Sequence, residues 1–150
     1  MVQFFPVLGT VAMAELLQVE IVKKASFFDL DPMGVVWHGN YARFLEEARD
    51  ALLDSIEYNY EEMRDSGYTW PVVDMRIKYV RPIRFRQEIR VTATLVEFEN
   101  RLRIDYRIYD HASGELLTKA QTTQLAVAIV DDKLAFESPR VLIEKVRGRL

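Results

Sequence analysis

The apolar residues are spaced differently in successive parts of the chain, and each spacing predicts a different element. Residues 16–27 have the mixed pattern of a first strand, and Pro and Gly then mark a turn over residues 29–34. From Tyr41 the apolar residues recur at i, i+3, i+4, i+7 and i+11, which places them on one face of a helix with Asn40 as its N-cap. The first predicted elements are therefore a strand, a turn and a long helix.

After a shorter helix, predicted from Asn59 to Gly67, apolar and polar residues alternate with the two-residue period of half-buried strands. These strands cover residues 73–79, 89–95 and 102–108, and a last long strand is predicted over 116–130. Short polar connections between them indicate antiparallel hairpins. Because an antiparallel sheet must cover its apolar face and one long helix is available, the pattern predicts an α+β fold with the sheet packed on that helix.

Composition and charge narrow the classes of function. The 150 residues suit one domain, and a net charge of -3 gives no global positive field for nucleic acid. The chain has no Cys, which excludes disulfides, thiolate metal sites and a cysteine nucleophile and fits a reducing compartment. No apolar run approaches the ~18 residues of a membrane helix. We therefore expect a cytoplasmic protein without a metal or a membrane span.

The first 15 residues lack a periodic apolar pattern. Ala12-Met13-Ala14 looks like a signal-peptidase site, but no Lys or Arg precedes it, and Pro6 and Gly9 interrupt the apolar stretch. We expect residues 1–15 to be a leader or extension outside the core, and residues 16–150 to form the domain.

The most informative segment is residues 29–49, DLDPMGVVWHGNYARFLEEAR. In it an Asp-Pro pair is followed by Gly, then by His seven residues after the Asp, by Asn-Tyr where the helix opens, and by E-x-A-R. These positions are Asp31, Pro32, Gly34, His38, Asn40, Tyr41, Glu46, Ala48 and Arg49. The segment resembles hotdog-fold thioesterases of the 4-hydroxybenzoyl-CoA thioesterase type. That resemblance implies an antiparallel sheet of about five strands wrapped on one long central helix. It also implies hydrolysis of an acyl-CoA or acyl-carrier-protein thioester, with no cofactor besides the coenzyme A of the substrate.

Asp31 is the first candidate for the catalytic carboxylate. Thioester hydrolysis needs a carboxylate that attacks the carbonyl or activates a water, and donors for the developing oxyanion. Asp31 directly precedes the long helix, whose free N–H groups favour negative charge. The resemblance implies that the backbone N–H of His38 polarises the thioester carbonyl. Gly34, Trp37 and Tyr41 are expected to contact the substrate. The alternative interpretation of Asp31, as a turn former only, stays open here.

A second catalytic candidate is Glu47. Another branch of hotdog thioesterases carries His-Gly-Gly and a catalytic Glu nine residues after the His. His38-Gly39 and Glu47 keep that spacing, although Asn40 replaces the second Gly. At 100° per residue, Glu47 lies on the flank of the apolar stripe. Two alternative functions remain for the same fold. The chain could be a hotdog dehydratase, or a non-catalytic protein that binds acyl thioesters or acts as a scaffold.

Basic residues are concentrated between residues 76 and 107, where phosphate groups of coenzyme A could bind. By resemblance, Arg101 and Arg103 beside the hairpin at Glu99-Asn100 are assigned to those phosphates. A single sheet with one covering helix leaves strand edges unprotected, which predicts a homodimer or homotetramer. The resemblance further implies that the active site lies between subunits.

Overall fold

A computed structural model of the protein describes residues 2–6 and 15–150. The described residues form an α+β fold. In chain order its elements are β1 (Val2–Pro6), β2 (Glu15–Lys24), α1 (Tyr41–Ser55), α2 (Tyr60–Asp65), β3 (Tyr68–Thr69), β4 (Val72–Tyr79), β5 (Glu88–Glu97), β6 (Leu102–Asp110), β7 (Leu116–Gln124), β8 (Val127–Ala128) and α3 (Arg140–Arg147).

The main sheet has the strand order β1-β2-β5-β6-β7-β4, with antiparallel neighbours throughout. Helix α1 packs against β2 and β5 on one face of the sheet. This is the hotdog architecture that the sequence predicted. The sheet contains six strands rather than about five, because β1 pairs with β2 at one edge.

The core lies between α1 and the inner face of the sheet. The apolar stripe predicted for the helix is buried throughout, which confirms the helical period; it consists of Tyr41, Phe44, Leu45, Ala48 and Leu52. Ile89, Val91 and Ala93 of β5 face it and are fully buried. Each buried Leu, Ile or Phe contributes about 1.5–3 kcal/mol relative to an exposed one.

The shorter helix also follows its sequence signal. Asn59 is the N-cap of α2, and its backbone N–H donates to Glu62 Oε1 at 3.2 Å, as expected of a capping box. Gly67, just beyond the helix, has φ +93°, a conformation that favours glycine.

The prediction of one strand over residues 116–130 was wrong in its second half. Gln124 pairs with Val72, the first residue of β4, so the sheet offers no further partner beyond this point. The chain bends instead, and Val127–Ala128 pair with the short strand β3. Helix α3, which buries Leu142 and Val146, was not predicted, because an apolar pattern confined to eight residues is too short to identify a helix.

The amino-terminal segment is described in part. Val2–Pro6 form the edge strand β1, a strand that the sequence pattern did not predict; an edge position tolerates the terminal Pro6. Residues 1 and 7–14 lie outside the described residues, so the assignment of residues 1–15 to a leader stays a prediction. In the described part of the chain, no helix has the length and hydropathy needed to cross a bilayer.

Candidate active site

The segment between β2 and α1 folds into a small hairpin. The Asp31 N–H donates to the Val35 carbonyl at 2.8 Å, and the Trp37 N–H donates to the Asp29 carbonyl at 2.9 Å. Gly34 closes the turn with φ +78°, and its N–H donates to the Asp31 carbonyl at 3.1 Å. This positive φ explains why Gly occupies the position. The predicted turn is therefore confirmed as a hairpin tip that carries Asp31.

The Asp31 carboxylate is held through one of its two oxygens. Oδ1 accepts hydrogen bonds from the N–H of Met33 at 2.8 Å and of Val35 at 3.4 Å. Among the described residues no donor binds Oδ2, and the side chain is half-buried. The turn thus fixes the direction of the carboxylate and leaves one oxygen available to a ligand.

The second branch of the hairpin leads into the amino terminus of α1. His38–Asn40 form a 3₁₀ turn, and the His38 N–H has no acceptor within residues 15–150. Such N–H groups at a helix start attract a partial or full negative charge. The Tyr79 hydroxyl donates to the His38 carbonyl at 2.8 Å, which fixes the next peptide group along the chain, between His38 and Gly39. The His38 ring is exposed and packs beside Trp37, with centroids 5.2 Å apart.

Two residues to which the sequence analysis gave no part in the Asp31 site, Asp29 and Gly39, support this geometry. Asp29 is 3% exposed; its Oδ2 accepts from the Ser26 N–H at 2.9 Å, and its carbonyl accepts from Asn40 Nδ2 at 2.9 Å. A Cβ on Gly39 would lie 2.3 Å from the Trp37 ring, so only Gly lets the indole cover this turn. Asn40 is the N-cap residue of α1, as predicted, but its side chain makes no capping hydrogen bond and its amide binds the Asp29 carbonyl instead.

Tyr41 is buried beneath the hairpin. Its ring packs edge to face on Tyr79, with centroids 4.7 Å apart. Burial raises the pKa of the Tyr41 hydroxyl, a hydrogen bond from the Ile83 backbone opposes the rise, and the nearby charges of Tyr79 and Asp31 add to it. Tyr41 therefore supports the site as a neutral phenol, and its predicted contact with substrate stays a prediction.

Glu47, the alternative catalytic residue, is engaged elsewhere. Its Oε1 forms an ion pair with Lys23 Nζ at 2.6 Å, and Lys23 also lies 4.6 Å from the centroid of the Phe44 ring. The Lys23–Glu47 pair lies on the flank of α1 that faces β2, in agreement with the position of Glu47 beside the apolar stripe that the spacing of 100° per residue predicted. Glu46 forms an i,i+3 ion pair with Arg49.

A cleft of about 440 Å³ opens beside the second half of α1. Its apolar walls include Leu53, Met63 and Trp70. Two buried polar atoms of residues that line it have no hydrogen-bond partner among the described residues, namely Arg49 Nη1 and Gln124 Oε1. Trp70 lines this cleft, whereas Phe44, on the same helix as Leu53, belongs to the core.

Arg101 and Arg103 lie far from Asp31 within one chain. The Asp31 hairpin pairs with the segment just before β5, whereas both arginines follow the other end of that strand, about 30 Å away. Arg101 Nε donates to both carboxylate oxygens of Glu97, at 3.1 and 3.0 Å, and Arg103 Nε is buried without a partner among the described residues. A single subunit therefore does not bring these arginines to the carboxylate.

Comparisons with known proteins identify the family to which the chain is similar. The model of the thioesterase-like superfamily matches residues 26–146. A Bacillus subtilis protein with the provisional name acyl-CoA thioesterase YneP is 34% identical over 113 residues, covering 74% of this chain and 78% of that protein.

Solved structures extend the likeness to the fold. A 1,4-dihydroxy-2-naphthoyl-CoA thioesterase from Synechocystis superposes with a TM-score of 0.77 at 23% identity, covering 87% of this chain and 96% of the other. A 4-hydroxybenzoyl-CoA thioesterase mutant in complex with 4-hydroxybenzoyl-CoA gives 0.74 at 18% identity, covering 85% and 97%.

Proposed function

The chain belongs to the thioesterase-like superfamily, and from that premise we propose that it hydrolyses the thioester of an acyl-CoA or acyl carrier protein with Asp31 as the catalytic carboxylate. The proposal rests on the hydrogen bonding of the two Asp31 carboxylate oxygens. One oxygen is fixed by two backbone N–H groups and the other is unpaired among the described residues. The carboxylate lies near enough to Tyr41, the first residue of α1, for its charge to raise the pKa of the Tyr41 hydroxyl.

Each group has a defined part in the reaction. The thioester carbonyl oxygen accepts from the His38 N–H, which stabilises the negative charge that develops as the carbonyl carbon becomes tetrahedral. Asp31 Oδ2 either attacks that carbon or removes a proton from the water that attacks it. If Asp31 acts on the water, collapse of the intermediate breaks the carbon–sulfur bond, and the proton taken from the water passes from Asp31 to the leaving thiolate. If Asp31 attacks, collapse expels the thiolate and leaves a mixed anhydride on Asp31; water then hydrolyses this anhydride, which gives the free acid and supplies the proton for the thiolate. The products are the free acid and coenzyme A or the carrier thiol.

A second copy of the chain would complete the site. Strand β4 has a free edge in the described sheet, and its exposed apolar residues include Val73, Met75 and Tyr79. Antiparallel pairing of two β4 edges would protect both strands and bury these side chains. We therefore place the active site in a dimer with two-fold symmetry.

Pairing of the two β4 strands would also place a pocket for the acyl group. It would set the Tyr79 end of one β4 beside the Val72 end of the other, and Val72 is in register with Gln124 at the cleft. The cleft of the partner subunit would then face the His38 peptide of the first and receive the acyl group. Arg103, in register with Thr123 and Asp74 and next to the Leu102–Gln124 pair, lies at the same end of the sheet as the cleft but on its opposite face.

Thiol release by the purified protein tests the proposed activity. Acyl-CoA esters of graded length, with aromatic and aliphatic acyl groups, should each yield stoichiometric thiol and free acid at different rates. A protein that binds these esters without releasing thiol would be an acyl-binding protein and would refute the proposal.

A further inference from the structure

The turn between β4 and β5 carries aromatic and basic side chains that the proposed reaction does not use. Phe85 lies between Arg84 and Arg86 in sequence, and all three are exposed. The Phe85 ring meets Phe27 edge to face with centroids 6.2 Å apart, and the Arg86 guanidinium carbon lies 4.8 Å from the Phe85 centroid. Phe27 is 79% exposed. Exposed aromatic clusters of this kind mark binding surfaces more often than isolated apolar residues do.

This turn is held in a strained conformation. Arg86 has φ +63°, a region that long side chains rarely adopt, and its N–H donates to the Ala25 carbonyl at 3.0 Å. Gln87 braces the turn, because its Oε1 accepts from the Arg84 N–H at 2.9 Å and its Nε2 donates to Asp110 Oδ1 at 2.9 Å. Strain of this kind persists where the surroundings enforce it, and it is concentrated at functional sites.

The two arginines of the turn are available to an anion. Within residues 15–150 neither Arg84 nor Arg86 forms a salt bridge, whereas Arg81 pairs with Glu115 at 3.3 Å. Arg84 also borders a cleft of about 420 Å³, whose other walls are Arg81, Pro82, Gln87, Glu115 and Leu117. Guanidinium groups match phosphate oxygens in pairs, and aromatic rings stack on nucleobases. The turn therefore combines the contacts that suit an adenine nucleotide.

The position of the turn connects it to the catalytic carboxylate. Val35, whose N–H binds Asp31 Oδ1, forms a β-bridge with Arg84. Two strand spacings therefore separate the backbone of Asp31 from that of Arg84, which is about 10 Å. An extended pantetheine arm reaches across this distance from a thioester at Asp31 to a diphosphate at the turn.

We propose that Arg84, Phe85 and Arg86, together with Phe27, bind the nucleotide of the acyl-CoA whose thioester lies at Asp31 of the same subunit. The inference rests on the proposed function and names coenzyme A, rather than a carrier protein, as the thiol carrier. Arg84 and Arg86 bind the diphosphate, which leaves the ribose phosphate to the partner subunit's Arg101 and the partner subunit's Arg103, and the two aromatic rings contact the adenine.

Two double variants separate charge from stacking. Arg84→Ala with Arg86→Gly removes both cations. Because glycine adopts φ +63° without steric strain, the fold should be retained. Phe27→Ala with Phe85→Ala removes both rings. Each double variant should raise KM for an acyl-CoA about tenfold or more with little change in kcat. The matched control is Phe136→Ala with Arg140→Ala, an equally exposed pair outside the turn, which should behave as wild type.

An acyl-N-acetylcysteamine thioester, which lacks the nucleotide, should be hydrolysed equally by all these proteins. An unchanged KM for acyl-CoA in both double variants would overturn the inference, as would an equal loss on both substrates.

Two further measurements separate a failure of this inference from a failure of the proposed function. Calorimetry should show weaker coenzyme A binding by both double variants than by the wild type. This result would support the inference even if the wild type released no thiol, and the missing thiol release would then refute only the proposed function. If the double variants keep the coenzyme A affinity of the wild type but no longer sediment together with phosphatidylglycerol vesicles as the wild type does, the inference is overturned in favour of a membrane surface.

Discussion

Replacing His38 with Pro deletes a single N–H and tests whether that group binds the oxyanion. His38 is the first residue of a 3₁₀ turn, and Trp37 before it has φ −61° and ψ 134°, the extended conformation that a residue preceding Pro requires. We therefore expect the free energy of unfolding to change by no more than about 1 kcal/mol. Loss of one oxyanion donor should lower kcat by ~10² to 10³, or ~3–4 kcal/mol of transition-state stabilisation.

His38→Ala is the matched control, because it removes the ring and keeps the N–H. The ring is exposed, so kcat should fall far less than in His38→Pro. Thiol release gives kcat and KM for both variants, and circular dichroism with thermal unfolding establishes that both fold. A folded His38→Pro protein with the kcat of His38→Ala would refute the assignment of this N–H.

The remaining predictions concern the substrate phosphates, the assembly and the amino terminus. Arg101→Ala with Arg103→Ala should raise KM for acyl-CoA with kcat nearly unchanged, and should spare a short thioester without a nucleotide; equal losses on both would refute the phosphate assignment. Sedimentation should show a dimer or tetramer, and a fully active monomer would contradict the site between subunits. Removing residues 1–12 should leave folding and activity intact, because β1 is an edge strand that pairs with β2 alone; insoluble protein would refute this.

Local patterns predicted much of this fold. The apolar stripe of α1 persists over several turns, and the alternation in β5 and β6 over a whole strand, so each defines its element without help from the rest of the chain. The hairpin tip at Asp31 was likewise predictable, because Pro32 and Gly34 mark a turn within a few residues.

Interactions between distant segments explain what the sequence pattern missed. Nothing local indicates that Lys23 will hold Glu47, or that Tyr79 will bind the His38 carbonyl. The role of Asp29 was hidden for the same reason, since its carbonyl receives the amide of Asn40 across the hairpin. The separation of Arg101 from the Asp31 hairpin follows from the sheet register, which residue spacing alone does not give.

The central claim is that Asp31 is the catalytic carboxylate, and kcat of Asp31→Asn beside Glu47→Gln tests it most directly. Asn keeps an oxygen for the Met33 and Val35 N–H groups, so the hairpin should persist while the negative charge is lost. We expect kcat to fall by ~10² to 10⁴ in Asp31→Asn. Glu47→Gln removes a partly exposed ion pair worth at most about 1 kcal/mol and should keep its activity. An active Asp31→Asn protein beside an inactive, folded Glu47→Gln protein would contradict the account and assign the reaction to the helix glutamate.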